Sequence, residues 1–317
     1  MKFVKLNLFV FVLVLLTNIS VQSADNIEPA NFTRLRDVIY GRKDGMALTM
    51  DVFTPADAKG VGVLWIISGS GRSDPAKIDT PRHQQCIRTF LDRGYTVFAV
   101  IHSSAPRFSL PDMIADIHRA VRFVRYRADD FGIKADHIGI AGASAGGTLS
   151  LLIGTSGQAG DPNDPDPVER QPSNVQAVGS FFAPTDWCNF DNKGNSVIEF
   201  QIQQYGFADP SFRFEDFDQK QQVYRPLTDI KQIQKVLTEC SPIAHVSRDD
   251  APTLIIHGDA DPFVPFHQSQ WMVDKLREND IPAKLILREG KGHGWTNWEK
   301  DTELIADWFD KYLYKVN

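Results

Sequence analysis

Five residues, Gly142-Ala143-Ser144-Ala145-Gly146, carry the first chemical signal in the chain. A serine set in G-x-S-x-G needs a buried strand before it and a helix after it, because that tight turn lifts the hydroxyl clear of the backbone. Both are expected here: His137-Ile138-Gly139-Ile140-Ala141 is an apolar run of strand length, and an apolar stretch continues through Ile153. Larger flanking side chains would collide in such a turn, hence the glycines. Ser144 is therefore the candidate nucleophile, with the backbone N–H of Ala145 aimed at the same point.

Serine is a poor nucleophile at its ordinary pKa and needs a base, which an acid must orient. Downstream, the run Thr253 to His257 is followed by Gly258-Asp259-Ala260-Asp261, and the run Ala283 to Leu287 is followed by Gly290-Lys291-Gly292-His293-Gly294. Serine, acid and histidine thus come in a workable order, each after a strand. His293, in its Gly-rich loop, is the expected base. Asp261 and Asp259 compete for the acid role; Asp261 is preferred, since Asp259 directly follows the His-Gly turn and is expected to brace the loop. His257 and His102 each end a strand run and read as hydrogen-bonded structural groups. Carboxyl ends of parallel strands are where open α/β sheets bind ligands.

The elements that must hold these loops alternate. Val61 to Ile67 and Tyr95 to Ile101 are continuous apolar runs, as strands covered on both faces should be. Val175 to Phe182 is another. Between them lie helical patterns at 84–92, at 111–128 with Ile114, Ile117, Val121 and Val124 on one face, and from Phe266 to Asn279. Arg119, Arg122, Arg125 and Arg127 in the later turns of the second suit the helix dipole. Ahead of these, Val38 to Tyr40 and Ala47 to Phe53 flank Asp44-Gly45, a hairpin signal. The expectation is an α/β fold with a mostly parallel central sheet flanked by helices. Asp161 to Pro167 lacks the glycine and closing glutamate of a calcium loop and reads as a solvated, Pro-stiffened segment. Residues 187–240 exceed any crossover and are rich in aromatics; they predict a cap-like insertion that roofs the acyl pocket and leaves it little depth.

Composition bounds the alternatives. The 317 residues hold 34 Lys+Arg against 40 Asp+Glu, a net charge of −6, with no basic run to neutralise phosphates, so nucleic acid is not an expected partner. No Zn-ligand spacing occurs and no cofactor is implied. Lys2 and Lys5 before the apolar stretch Leu6 to Leu16, then small residues near Ser23, predict a signal peptide over 1–23, followed by one catalytic domain, 24–317, with its insertion at about 187–240. The mature chain is expected to be secreted or periplasmic and not membrane-bound. Its oligomeric state is left open. Three cysteines, Cys86, Cys188 and Cys240, cannot all pair, and a Cys188–Cys240 disulfide is permitted in an exported chain. Asn31-Phe32-Thr33 is a glycosylation sequon.

From about Tyr40 onward the chain resembles the α/β-hydrolase superfamily, in particular secreted bacterial esterases similar to feruloyl and acetyl-xylan esterases and to hormone-sensitive-lipase-like enzymes. The resemblance is carried by Met50-Asp51-Val52-Phe53-Thr54-Pro55, Asp116 to Arg122, Gly142 to Gly147, Ser241-Pro242-Ile243 and His257 to Asp261. It implies a serine carboxylesterase without cofactor, with a small-molecule or polysaccharide-linked ester as its substrate, and catalytic Ser144, Asp261 and His293. Where lipases and esterases carry His-Gly-Gly-Gly, this chain has Ser68-Gly69-Ser70-Gly71, so the resemblance implies Ser70 and Gly71, with Ala145, as N–H donors to an oxyanion. Two other readings share these loops: a serine peptidase of the oligopeptidase type, and a non-catalytic binding protein. Dehalogenase and dienelactone-hydrolase chemistry need Asp or Cys where Ser144 stands.

Overall fold

A computed structural model describes residues 31–314. The predicted signal segment, 1–23, lies outside them. The first strands form a hairpin longer than its apolar runs suggested: β1 (Phe32–Lys43) pairs antiparallel with β2 (Met46–Pro55) around Asp44-Gly45. β1 absorbs Asp37, at φ 53°, as an irregularity in its register.

The alternation then proceeds as β3 (Val61–Ile66), α1 (Pro81–Leu91), β4 (Tyr95–Val100), α2 (Leu110–Tyr126), β5 (Ile138–Ala143), α3 (Ala145–Thr155) and β6 (Ala177–Phe181). After the insertion come β9 (Thr253–Gly258), α6 (His267–Glu278), β10 (Ala283–Arg288) and α7 (Thr302–Leu313). Strand order in the eight-stranded sheet is β1-β2-β4-β3-β5-β6-β9-β10, and only the pairs involving β2 are antiparallel. This is the α/β-hydrolase fold.

Because the central strands are covered on both faces, their alternating side chains feed two cores. On one face Leu64, Phe98, Ile140 and Val178 meet Ile117 and Val121 of α2, Leu149 of α3 and Met272 of α6. On the other, Val63, Trp65, Val97 and Ile256 meet Phe90 of α1 and Ile305, Phe309 and Leu313 of α7. Burying each large side chain there is worth about 1.5–3 kcal/mol. The sequence reading did not mark α7, although Ile305, Phe309 and Leu313 recur at helical spacing.

The α2 arginines do more than complement a dipole. Arg119 and Arg122 each reach Glu169, at 2.6 and 2.9 Å, and Arg119 also takes Asp166 at 2.8 Å. Arg125 is buried and gives its side chain to the backbone oxygens of Ala135 and Asn174. These contacts hold the 161–174 loop against α2, so the acidic residues of that loop serve as arginine partners and Asx turns. Among the described residues no acidic, His or Cys cluster could hold a metal ion, and no helix is long and apolar enough to cross a membrane.

The insertion has its own elements: α4 (Val197–Tyr205), a 3-10 turn at Pro210–Phe212, the hairpin β7 (Glu215–Asp218) and β8 (Val223–Pro226), and α5 (Ile230–Glu239). Trp187, Phe190, Phe212 and Phe214 are buried beneath it, while Tyr205, Phe207 and Tyr224 stay exposed. Cys86, Cys188 and Cys240 are all free thiols. Cys240 is buried and pushed up to about 12, and Cys188 Sγ rests 3.4 Å from Thr238 Oγ1.

Candidate active site

Ser144 sits between β5 and α3 with φ 54° and ψ −121°, a backbone state rarely adopted by a side-chain-bearing residue. The turn is possible only because its flanks are bare. A Cβ on Gly142 would stand 2.5 Å from the Gly146 oxygen, and one on Gly146 would stand 2.7 Å from the Ile66 oxygen of β3. The cost of the turn is met by the strand and helix on either side, and by the Ser144 N–H, which donates to Phe181 O at 2.9 Å.

His293, in the loop after β10, bridges the other two candidates. Its Nδ1 lies 2.7 Å from Asp261 Oδ2 and its Nε2 3.0 Å from Ser144 Oγ. A carboxylate only accepts, so Nδ1 carries the proton and bare Nε2 faces the serine hydroxyl. Asp261 has a fully buried side chain. Burial alone would raise its carboxyl, but hydrogen bonds from His257 and His293 outweigh it and hold the group well below the usual carboxylate range. Asp259, the competitor, turns elsewhere: its Oδ1 accepts the Gly290 N–H at 2.6 Å and ties the two loops together.

Two aromatic rings that the sequence reading left unassigned fix the imidazole plane. Phe182 follows β6 with φ 37° and packs edge-on against His293 at 4.6 Å between centroids; Phe263 closes from another side at 5.7 Å. A non-glycine residue at positive φ straight after a buried strand is strained, and here it aims a ring at His293.

The three expected N–H donors are free for an oxyanion. Gly69 and Arg72 exchange backbone hydrogen bonds at 2.9 and 3.0 Å, closing a turn with Ser70 at φ 47° and Gly71 at φ 62°. Among the described residues, the N–H groups of Ser70, Gly71 and Ala145 have no protein acceptor. The serine at position 68 takes part differently from a glycine-loop histidine. His102 donates Nδ1–H to Ser103 O at 2.5 Å, so its Nε2 is bare and accepts from Ser68 Oγ at 2.8 Å. His102 is thus not a strand-end group alone; it braces this loop, and burial lowers its pKa.

A cavity of about 500 Å³ opens over Ser144 and His293. Leu110 and Met113 of α2 and Leu149 of α3 line it, together with Trp187, Phe190 and Phe200 from the insertion. The insertion does line the pocket, as its aromatics predicted. The cavity's volume lies in the range of pockets that take small organic ligands. The insertion also comes close to the 68–71 loop: a Cβ on Gly71 would stand 2.6 Å from Ser211 Cβ.

An α/β-hydrolase fold with a strained serine, an imidazole bridging it to a buried carboxylate, and unspent N–H groups beside them defines a serine-hydrolase-type site. The BD-FAE family model matches residues 50–276, more than half the chain, and the protein belongs to that family. It is 28% identical over 268 residues to Esterase LipC of Mycobacterium tuberculosis, covering 83% of this chain and 60% of that protein. It is 27% identical over 248 residues to the probable carboxylic ester hydrolase LipM of the same organism, covering 76% and 51%. The chain thus spans only about half to three fifths of the length of these relatives. Among solved structures, a truncated carbohydrate esterase from gut microbiota superposes with a TM-score of 0.68 at 23% identity, over 90% of this chain and 98% of that one.

Proposed function

We propose that the chain is an exported serine carboxylesterase that cleaves short-acyl or feruloyl-type esters, carbohydrate-linked ones included, through an acyl-enzyme. The observation that carries the reading is His293 standing 3.0 Å from Ser144 Oγ and 2.7 Å from Asp261 Oδ2. In this reading Ser144 Oγ attacks the ester carbonyl as its proton passes to His293 Nε2. The tetrahedral oxyanion takes hydrogen bonds from the N–H groups of Ala145, Ser70 and Gly71. Collapse expels the alcohol, which receives the proton from His293. Water then enters and bonds the acyl carbon as it gives a proton to the same nitrogen; collapse breaks the acyl–Oγ bond, His293 returns the proton to Ser144 Oγ, and the acid leaves. Asp261 stays ionised throughout and stabilises the imidazolium.

The names of LipC and LipM support ester hydrolysis. The cavity of about 500 Å³ leaves room for a ring-bearing acyl group as well as acetate. Export rests on the charge and hydropathy pattern of residues 1–23. A hydrolysis screen decides the reading: p-nitrophenyl esters from acetate to laurate, methyl ferulate, acetylated xylan and peptide p-nitroanilides. Turnover of the short or feruloyl esters supports it. Rates that climb beyond C8, interfacial activation, or faster peptide turnover overturn it.

A further inference from the structure

The Asp261 carboxylate receives more donors than His293 supplies. Its Oδ1 accepts the backbone N–H groups of Phe263 at 2.8 Å and Val264 at 3.0 Å. Its Oδ2 faces two imidazoles, His293 Nδ1 at 2.7 Å and His257 Nε2 at 3.3 Å. His257, in β9, is wholly buried, and the same Nε2 lies 3.0 Å from the Val264 carbonyl oxygen. A carbonyl and a carboxylate only accept, so Nε2 carries the proton and faces both. On the other side of the ring, Nδ1 lies 2.6 Å from Ser269 Oγ of α6. With the proton on Nε2, that hydroxyl donates to Nδ1 and locks the tautomer. Contacts therefore run unbroken from Ser269 through His257, Asp261 and His293 to Ser144.

We propose that His257, with its tautomer held by Ser269, is a positioning residue that fixes Asp261 Oδ2 and draws part of its charge away from His293. The proposal rests on the ester-hydrolase reading of the site. The His257 N–H hydrogen-bonds the Val264 carbonyl oxygen and keeps its positive end 3.3 Å from the carboxylate oxygen that His293 uses, so it stabilises that charge electrostatically and weakens what His293 receives. The titratable groups that face Asp261 are His257 from β9 and His293 from the loop after β10. Asp259 spends its Oδ1 on Gly290 N, and α6 contributes only the hydroxyl of Ser269. Without the His257 proton, Asp261 stays ionised and its charge falls more fully on His293 Nδ1–H. The imidazolium gains, and a higher pH is needed to free Nε2 as a base.

The test compares wild type with His257→Phe, His257→Gln and Ser269→Ala by two readouts. One is the pH profile of kcat/KM on p-nitrophenyl acetate. The other is the titration of the His293 ring followed by NMR, which needs no turnover. The Phe variant is expected to move both midpoints up by about half a pH unit or more. The Gln variant, with an amide N–H to offer, is expected to stay at the wild-type position. Ser269→Ala is expected to move them less, in the same direction. A purely structural histidine would lower Tm and rate without moving either midpoint. Unmoved midpoints in the Phe variant, or a Gln variant that shifts as far as Phe, overturn the proposal. If the Phe variant does not fold, an unmoved Ser269→Ala titration overturns it. A wild type that hydrolyses no ester overturns the ester-hydrolase reading alone, since the His293 titration still decides the role of His257.

Discussion

Asp261 Oδ2 stands 2.7 Å from His293 Nδ1, whereas Asp259, two residues earlier, gives its carboxylate to the Gly290 backbone at 2.6 Å. Neighbouring aspartates in one loop thus do separable work. The first faces the imidazole that faces Ser144, and the second holds two loops in register.

Asp261→Asn should therefore lower kcat/KM by roughly 10⁴-fold, because an amide N–H presented to Nδ1 favours the wrong imidazole tautomer. Asp259→Asn should cost less than about tenfold, since it loosens a brace and leaves the imidazole contact in place. Steady-state kinetics on both variants check the ranking, and a reversed order would exchange their roles.

Ser144→Ala should reduce ester hydrolysis by about 10⁴-fold or more while leaving the circular dichroism spectrum unchanged. The substitution also removes the atom that a fluorophosphonate probe would label, so labelling should disappear with activity. More than a few per cent of the wild-type kcat in clean protein would speak against Ser144 as nucleophile.

Gly71→Ala is expected to act through the oxyanion hole. Its φ of 62° disfavours any side chain, and the new Cβ would meet Ser211 Cβ at 2.6 Å. kcat should fall by roughly 10- to 10³-fold, with KM changing much less. Adding Ser211→Gly removes the collision but not the backbone strain, so the double variant should recover only part of the loss. Full recovery would mean that crowding alone matters at this turn.

A half-buried and a buried histidine, His83 and His118, weigh on the acid side of stability. Burial pushes His83 and His118 down to about 4. The Trp65 indole N–H donates to His83 Nδ1 at 2.9 Å, which needs that nitrogen bare. Unfolded histidine titrates near 6.5, so the unfolded chain binds more protons than the folded one between about pH 6.5 and 4. Stability should fall as pH drops through that window. Urea unfolding of His118→Gln should show a shallower fall across the window than wild type; an unchanged slope would remove His118 from the account.

Much of this site could be read from local sequence. G-x-S-x-G after an apolar run marks Ser144 because the strand-to-helix turn is a local steric problem with few solutions. Asp261 and His293 follow from loops placed directly after apolar runs, and the preference for Asp261 over Asp259 followed from its distance to the His-Gly turn. Helix boundaries strayed by a few residues where caps, not periodicity, decide them. The α7 pattern at Ile305, Phe309 and Leu313 is equally legible in the sequence, at a spacing of four.

What the chain by itself determined, then, is the order of its strands and helices and which short loops carry Ser144, Asp261 and His293. Apolar periodicity and glycine-bearing turns are properties of neighbouring residues. Tertiary structure alone decided which groups share an atom. His257 and His293 are 36 positions apart in numbering yet meet on one oxygen of Asp261, because β9 and β10 pair in parallel and deliver their loops to the same edge. Ser211 meets Gly71, and Phe182 meets His293, for the same reason: sheet order and the return path of the insertion bring distant side chains into contact, and no local pattern encodes those distances.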